Sequence, residues 1–191
     1  MAQGIAIVGL NGSGKSTMNH RLSRTMGYFE MDVEDYYFPQ QKEHRQWALD
    51  HAVVRQMAQQ PYIAEQDQAQ VEAALLRDME AHPQFVLSCV RLNWGEALRS
   101  CIGLVFYLQV PLEKRLERIR QREVRRFGAR ALPGGDMYER QERFRALVSQ
   151  REPAAVEDSL AGMNCPVVRL DGTLPLEENL ARMLDLLQKN P

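Results

Sequence analysis

Three cysteines occur in 191 residues, and Cys89, Cys101 and Cys165 lie far apart, without CxxC or Cys/His spacing. That scarcity excludes a cysteine-ligated metal motif and is what a reduced compartment leaves. Cys89 and Cys165 sit in or beside apolar runs and read as small buried hydrophobes. No apolar run approaches the ~18 residues of a membrane-spanning helix, so no such anchor is expected. The first apolar run begins at residue 5, leaving no room for a signal segment, and the cytoplasm is the expected location. A net basic charge is also missing. The 24 Lys and Arg balance 25 Asp and Glu, and the sequence pI is 6.4, which argues against general nucleic-acid binding. No internal repeat occurs.

What is present is concentrated. Residues 9–16 read Gly-Leu-Asn-Gly-Ser-Gly-Lys-Ser directly after the apolar run at 5–8, the GxxxxGK[ST] pattern in its strand-then-helix setting. Glycines at these positions let successive backbone N–H groups turn inward at a helix N-terminus and form an anion nest. Asn11, Gly12, Ser13, Gly14, Lys15, Ser16 and Thr17 are therefore the expected nucleoside triphosphate contacts. Lys15 supplies a point charge between the β- and γ-phosphates, Ser16 a hydroxyl for Mg²⁺, and Thr17 a donor to the α-phosphate.

Short apolar runs at 5–8, 28–31, 85–90, 104–110 and 167–170 predict buried parallel strands. Helical patterns separate them at 15–26, 64–81, from Pro111 onward, and at 136–150, 153–162 and 175–188. Alternating strands and helices predict an α/β fold, a parallel sheet of five strands covered on both faces and joined by right-handed crossovers. The length suits one domain over residues 1–191. Two stretches exceed the minimal alternation and are expected to be flaps: an acceptor-binding insertion at about 33–83 and an arginine-rich lid at about 115–151. That lid carries 11 of the 20 arginines against five acids, and phosphate-transferring sites commonly close such segments to exclude water.

The third strand ends without an aspartate, so the usual metal-holding carboxylate is missing there. Asp32, at the end of the second strand, is the substitute where ligands bind in open α/β sheets. Asp32 and Glu34, two apart, share a direction if the backbone stays extended. One would hold Mg²⁺ through water, and the other would orient or deprotonate an acceptor hydroxyl. The alternative is that these acids cap a helix.

With the loop GLNGSGKST, Asp-x-Glu at 32–34, Arg-x-x-x-Arg at 118 and 122, and the turn Leu170-Asp171-Gly172-Thr173 in that order, most of the chain resembles the nucleoside monophosphate kinase-like group. This group includes adenylate, cytidylate, gluconate and shikimate kinases. The chain is also similar to bacterial proteins grouped only as AAA-family ATPases. The resemblance implies a P-loop fold with strand order 2-3-1-4-5, ATP and Mg²⁺ as cofactors, and a small-molecule acceptor. Asp32 would serve the metal and Glu34 the acceptor. Arg118 and Arg122, on one helix face, would stack on adenine and contact the transferring phosphates, and the Gly172 backbone would meet the adenine edge. The bland readings stay open: a solvated, ion-paired helix and a plain strand-to-helix turn.

Arg125, Arg126 and Arg130 extend the cluster, with Arg126 a candidate for an anionic acceptor. Tyr36, Tyr37 and Phe38, followed by His44, Arg45, Trp47 and His51, offer stacking faces and polar handles, with Tyr37 a candidate acceptor contact. Arg91 and Asn93 follow the third strand, and Arg91 is the candidate clamp for an anionic group on the acceptor. Ser88-Cys89-Val90-Arg91-Leu92-Asn93 departs from the runs that mark monophosphate and shikimate kinases there, so neither substrate transfers. The expected activity is γ-phosphate transfer from ATP to a nucleotide, nucleoside or hydroxylated metabolite. The alternatives are a slow ATPase acting as a binding switch and a polynucleotide-end kinase.

Overall fold

The computed structural model describes residues 4–38 and 67–189. Its centre is a five-stranded parallel sheet in the order β2-β3-β1-β4-β5. The strands are β1 Gly4–Val8, β2 Phe29–Asp32, β3 Phe85–Cys89, β4 Ile102–Gln109 and β5 Val167–Asp171. The order is the expected one. Strand ends move by one or two residues, as they do where only hydrogen bonding defines an end. β1 and β3 are buried along their whole length, which is why they read as unbroken apolar runs.

The helices are α1 Lys15–Met26, α2 Val33–Tyr37, α3 Gln68–Ala81, α4 Glu96–Ser100, α5 Leu112–Phe127, α6 Tyr138–Ser149, α7 Ala154–Leu160 and α8 Leu176–Lys189. Successive strand residues face opposite sides, and two cores result. One gathers Ala6, Val8, Leu87, Val105 and Tyr107 with Leu75 of α3 and Val156 of α7. The other gathers Ile5, Ile7, Val86, Phe106 and Leu108 with Leu22 of α1 and Met183 of α8. Burying each Leu- or Phe-sized side chain contributes about 1.5–3 kcal/mol, so both helical layers are firmly attached to the sheet.

The helices differ from the sequence reading for local reasons. α3 starts at Gln68 rather than 64 because the Asp67 carboxylate accepts from the Gln70 N–H at 2.9 Å and caps the helix; residues 64–66 lie outside the described residues. α2 and α4, five residues each, are too short to show a helical period. The expected lid is α5, a 3-10 turn at Gly128–Ala131, and α6. Among the described residues no helix is long and apolar enough to cross a membrane.

The register places the C-terminal strand ends side by side: Val8 lies opposite Cys89 and Tyr107, Asp32 opposite Ser88, and Gln109 opposite Asp171. The loops that carry chemistry leave from this one edge.

Candidate functional site

The loop after β1 turns tightly, with the Ser13 N–H donating to the Leu10 carbonyl at 3.0 Å. Gly14, at φ +94°, is the N-cap of α1, and no side chain caps it. The first N–H groups of the helix are thus left for a ligand. Gly12, at φ +85°, lies so close to α5 that a Cβ there would stand 2.6 Å from the Arg115 carbonyl oxygen. Only glycine satisfies both the angle and the contact.

Above the loop opens a cavity of about 300 Å³. Gly12 through Thr17 form its floor, α5 supplies Arg118, Arg122 and Arg125, and Gly172 and Asn179 close the far side. Lys15 is buried at 6% exposure. Among the described residues no carboxylate lines this cavity, and their field there is that of one lysine, three arginines and a helix N-terminus. Arg118 ties the walls together: it donates to the Ser13 carbonyl at 3.3 Å and to the Gly172 carbonyl at 2.9 Å.

Other sequence candidates fall differently. Arg126 is not among the residues that line the cavity, although it follows Arg122 by one helical turn. Arg130 leaves the cluster altogether to pair with Asp136, which holds that carboxyl below its ordinary range. The Asn11 side-chain oxygen is taken by Arg151 at 2.5 Å. At the β5 turn, the Gly172 N–H donates to the Gln109 carbonyl at 2.9 Å, and Asn179 donates to the Asp171 carbonyl at 2.8 Å. Asp171 accepts from the Thr173 N–H and hydroxyl at 2.8 and 2.6 Å. The turn is locked before any ligand arrives.

The extended backbone assumed for Asp32 and Glu34 ends at Asp32, because α2 begins at Val33. Asp32 is the N-cap of α2, its carboxylate accepting from the Glu34 N–H at 3.0 Å. Coiling of the following residues separates the two side chains: Asp32 is 6% exposed, whereas Glu34 is exposed. Asp32 still stands beside the phosphate loop. The Cys89 thiol is pushed up to about 12, first by burial, with Lys15 lowering it and Asp32 raising it, so all three groups lie within electrostatic reach. Asn19, fully buried, donates to the Met31 carbonyl at 2.7 Å and accepts from the Ser23 hydroxyl, fixing the end of β2 against α1. Ser88 beside Asp32 is fully buried with its hydroxyl unpartnered.

Tyr37 packs against Trp94 with ring centroids 6.4 Å apart, and Tyr36 donates to Asp78 at 2.5 Å. Arg91 stands exposed just beyond β3, away from the cavity wall. His44, Arg45, Trp47 and His51 lie outside the described residues. Sequence reading missed Arg115, Arg151, Asn19 and Asn179. Asn19 and Asn179 leave a signal, a polar residue in the buried stripe of an amphipathic helix, whereas the two arginines look like any others in a basic segment.

The model of the AAA domain matches residues 5–131, from β1 through the 3-10 turn. The chain belongs to the AAA domain family. Across its whole length, this AAA domain protein is 28% identical over 198 residues to the uncharacterized protein YqaC of Bacillus subtilis strain 168, all of which is covered. Its fold is also that of solved kinases. Deoxyadenosine kinase from M. mycoides matches with a TM-score of 0.53 at 16% identity, over 98% of this chain and 100% of that one. Shikimate kinase from Acinetobacter baumannii gives 0.53 at 15%, over 98% and 94%. A gluconokinase from Sinorhizobium meliloti 1021 gives 0.50 at 18%, over 100% and 98%.

Proposed function

We propose that this AAA domain protein is an ATP-dependent phosphotransferase that moves the γ-phosphate to a small-molecule acceptor. The observation that carries the reading is the cavity in which Lys15, Arg118, Arg122 and Arg125 converge on an uncapped helix N-terminus. Its walls suit a polyphosphate. The shared fold with kinases of deoxyadenosine, shikimate and gluconate supports the same class, and leaves the acceptor open.

Phosphoryl transfer asks a protein mainly for positioning and charge stabilisation. The N–H groups of residues 12–17 would cradle the phosphates, Thr17 meeting the α-phosphate and Lys15 bridging β and γ. Arg122 and Arg125 would meet charge that develops on the moving group. Arg118, held by two carbonyls, would present the flat face of its guanidinium toward the base, beside the fixed turn at Gly172. Asn11, clamped by Arg151, would set the loop's shape.

The described residues hold no group of three or more His, Cys, Asp or Glu suited to a metal ion. Mg²⁺ takes one or two protein groups and completes its shell with phosphates and water. Ser16 and the buried Asp32 would hold it, and it would supply charge neutralisation between the phosphates. Glu34, exposed at the start of α2, would face the acceptor, with Tyr37 and Arg91 on the same edge of the sheet and Arg126 beyond the cavity. Any anionic acceptor group would meet Arg91 or Arg126. The whole chain would work as one domain.

The test is ATP consumption by the purified protein with Mg²⁺, alone and against nucleoside monophosphates, nucleosides and hydroxylated metabolites, with Lys15→Ala as control. Lys15-dependent stimulation by one compound class is the expected result. Tight ATP binding with no stimulation by any compound would overturn the kinase reading in favour of a nucleotide-dependent switch.

A further inference from the structure

A second cavity, of about 410 Å³, opens beside the phosphate loop at the ends of β4 and β5, under the start of α7. It shares Leu108 with the nucleotide cavity and otherwise has walls of its own. Its apolar lining comes from residues such as Leu10, Val110 and Pro153, and its polar lining from Tyr107, Gln109, Arg115, Arg169 and Asp171.

Arg115 is the unusual member. It is 3% exposed, yet its contacts among the described residues are only carbonyls, Val110 at 3.2 Å and Asn11 at 3.5 Å. No carboxylate pairs with it. The other charges at the cavity are already matched: Arg169 bonds Glu157 at 2.6 Å, and the Asp171 carboxylate accepts from Thr173. A buried cation is costly unless an anion or a full set of acceptors meets it. The two carbonyls engage Nε and Nη1, and no Arg115 nitrogen is both fully buried and without a partner, so its remaining N–H donors are open to the cavity that Arg115 lines. The same two carbonyls tie the guanidinium to the phosphate loop and to the start of α5.

We propose that this cavity is a binding site for a small organic anion, its carboxylate or phosphate on the Arg115 guanidinium and its body against the apolar wall. The occupant is distinct from the nucleotide. The site does not depend on phosphotransfer, so its test stands apart from that reading.

The test is NMR of the arginine side-chain N–H signals in ¹⁵N-labelled protein, with the Arg115 signal assigned by its loss in Arg115→Lys. Succinate and inorganic phosphate, added separately, distinguish a carboxylate from a phosphate source. A saturable shift of the Arg115 signal with one of them, retained in Lys15→Ala, is the expected result. Arg115→Met, which keeps the packing of the stem, should weaken the same anion's thermal stabilisation about 10- to 100-fold in concentration, the span of a lost charged hydrogen bond. No saturable shift with either probe at high millimolar concentration would overturn the proposal. So would a shift that disappears in Lys15→Ala, since it would report the phosphate loop.

Discussion

At the scale of single residues, Asp32 combines two roles that substitution can separate. Asn caps helices as well as Asp does, so Asp32→Asn should leave thermal stability nearly unchanged while Mg²⁺-dependent turnover falls by ten-fold or more. Asp32→Ala should lose both, with about 1 kcal/mol of stability gone. Paired unfolding and turnover measurements check this; equal turnover in Asp32→Asn and the parent would remove Asp32 from the chemistry. Cys89 offers a pH prediction. Its thiol titrates at about 12 in the fold and near 8.5 when unfolded. A raised folded value means that the stability is complete below the unfolded value and is lost as pH rises from about 8.5 toward 12. Urea unfolding across that window should show stability falling, with a shallower slope in Cys89→Ala. The burial that raises the thiol also shields it, so thiol reagents should label Cys101 and Cys165 first.

At the scale of elements, the α5–α6 pair is held by a charge network that no apolar pattern announces. Arg145 of α6 bonds Glu123 of α5 and Glu142 of its own helix, and both Arg145 and Glu123 are less than a tenth exposed. Removing one partner strands the other in low dielectric, so Arg145→Met should cost about 3–5 kcal/mol. The double variant Arg145→Met with Glu123→Leu should regain most of that loss, because packed apolar groups replace a buried pair at little cost. Denaturant unfolding of the three variants checks both statements; additive losses in the double variant would show that the pair is not coupled. The contact of the phosphate loop with α5 is similarly strict. Gly12→Ala adds a methyl 2.6 Å from the Arg115 carbonyl at φ +85°, and should cost about 1–3 kcal/mol from the backbone angle alone, with nucleotide binding lost.

At the scale of the whole molecule, arginines from the expected lid reach back to the loop of β1 and the turn after β5: Arg118 to Ser13 and Gly172, Arg151 to Asn11. A ligand seated between these parts stabilises the fold by mass action. ATP with Mg²⁺ at 100 times its dissociation constant should add about 2.7 kcal/mol, visible as a rise of several degrees in Tm. Lys15→Ala should abolish the rise.

The sheet was legible because five short apolar runs separated by helical patterns admit few arrangements, and the phosphate loop because its spacing is strict. The strand order came from likeness to a known group of kinases and is the order observed. The helices α2 and α4 were illegible, being shorter than the periods that would reveal them. So was the fate of charged residues. By residue pattern alone, Arg115, Arg118, Arg126 and Arg145 belong to one basic segment; the resemblance to kinases marked Arg118 for the nucleotide, but helical phase alone cannot say which neighbour each will meet. The sequence by itself determined local matters: where the chain is apolar, where it must turn, and where successive N–H groups can gather around a phosphate. Only the tertiary structure decided that Arg118 lines the cavity while Arg130 leaves it for Asp136, that Asp32 is a cap, and that Arg115 is buried without an acid. Arg115 and Arg118 meet Asn11 and Ser13 across 104 and 105 positions, a pairing set by packing that no local pattern encodes, whereas the Asp32 cap and the Arg130–Asp136 pair span two and six positions and are each one of several local contacts the sequence allowed.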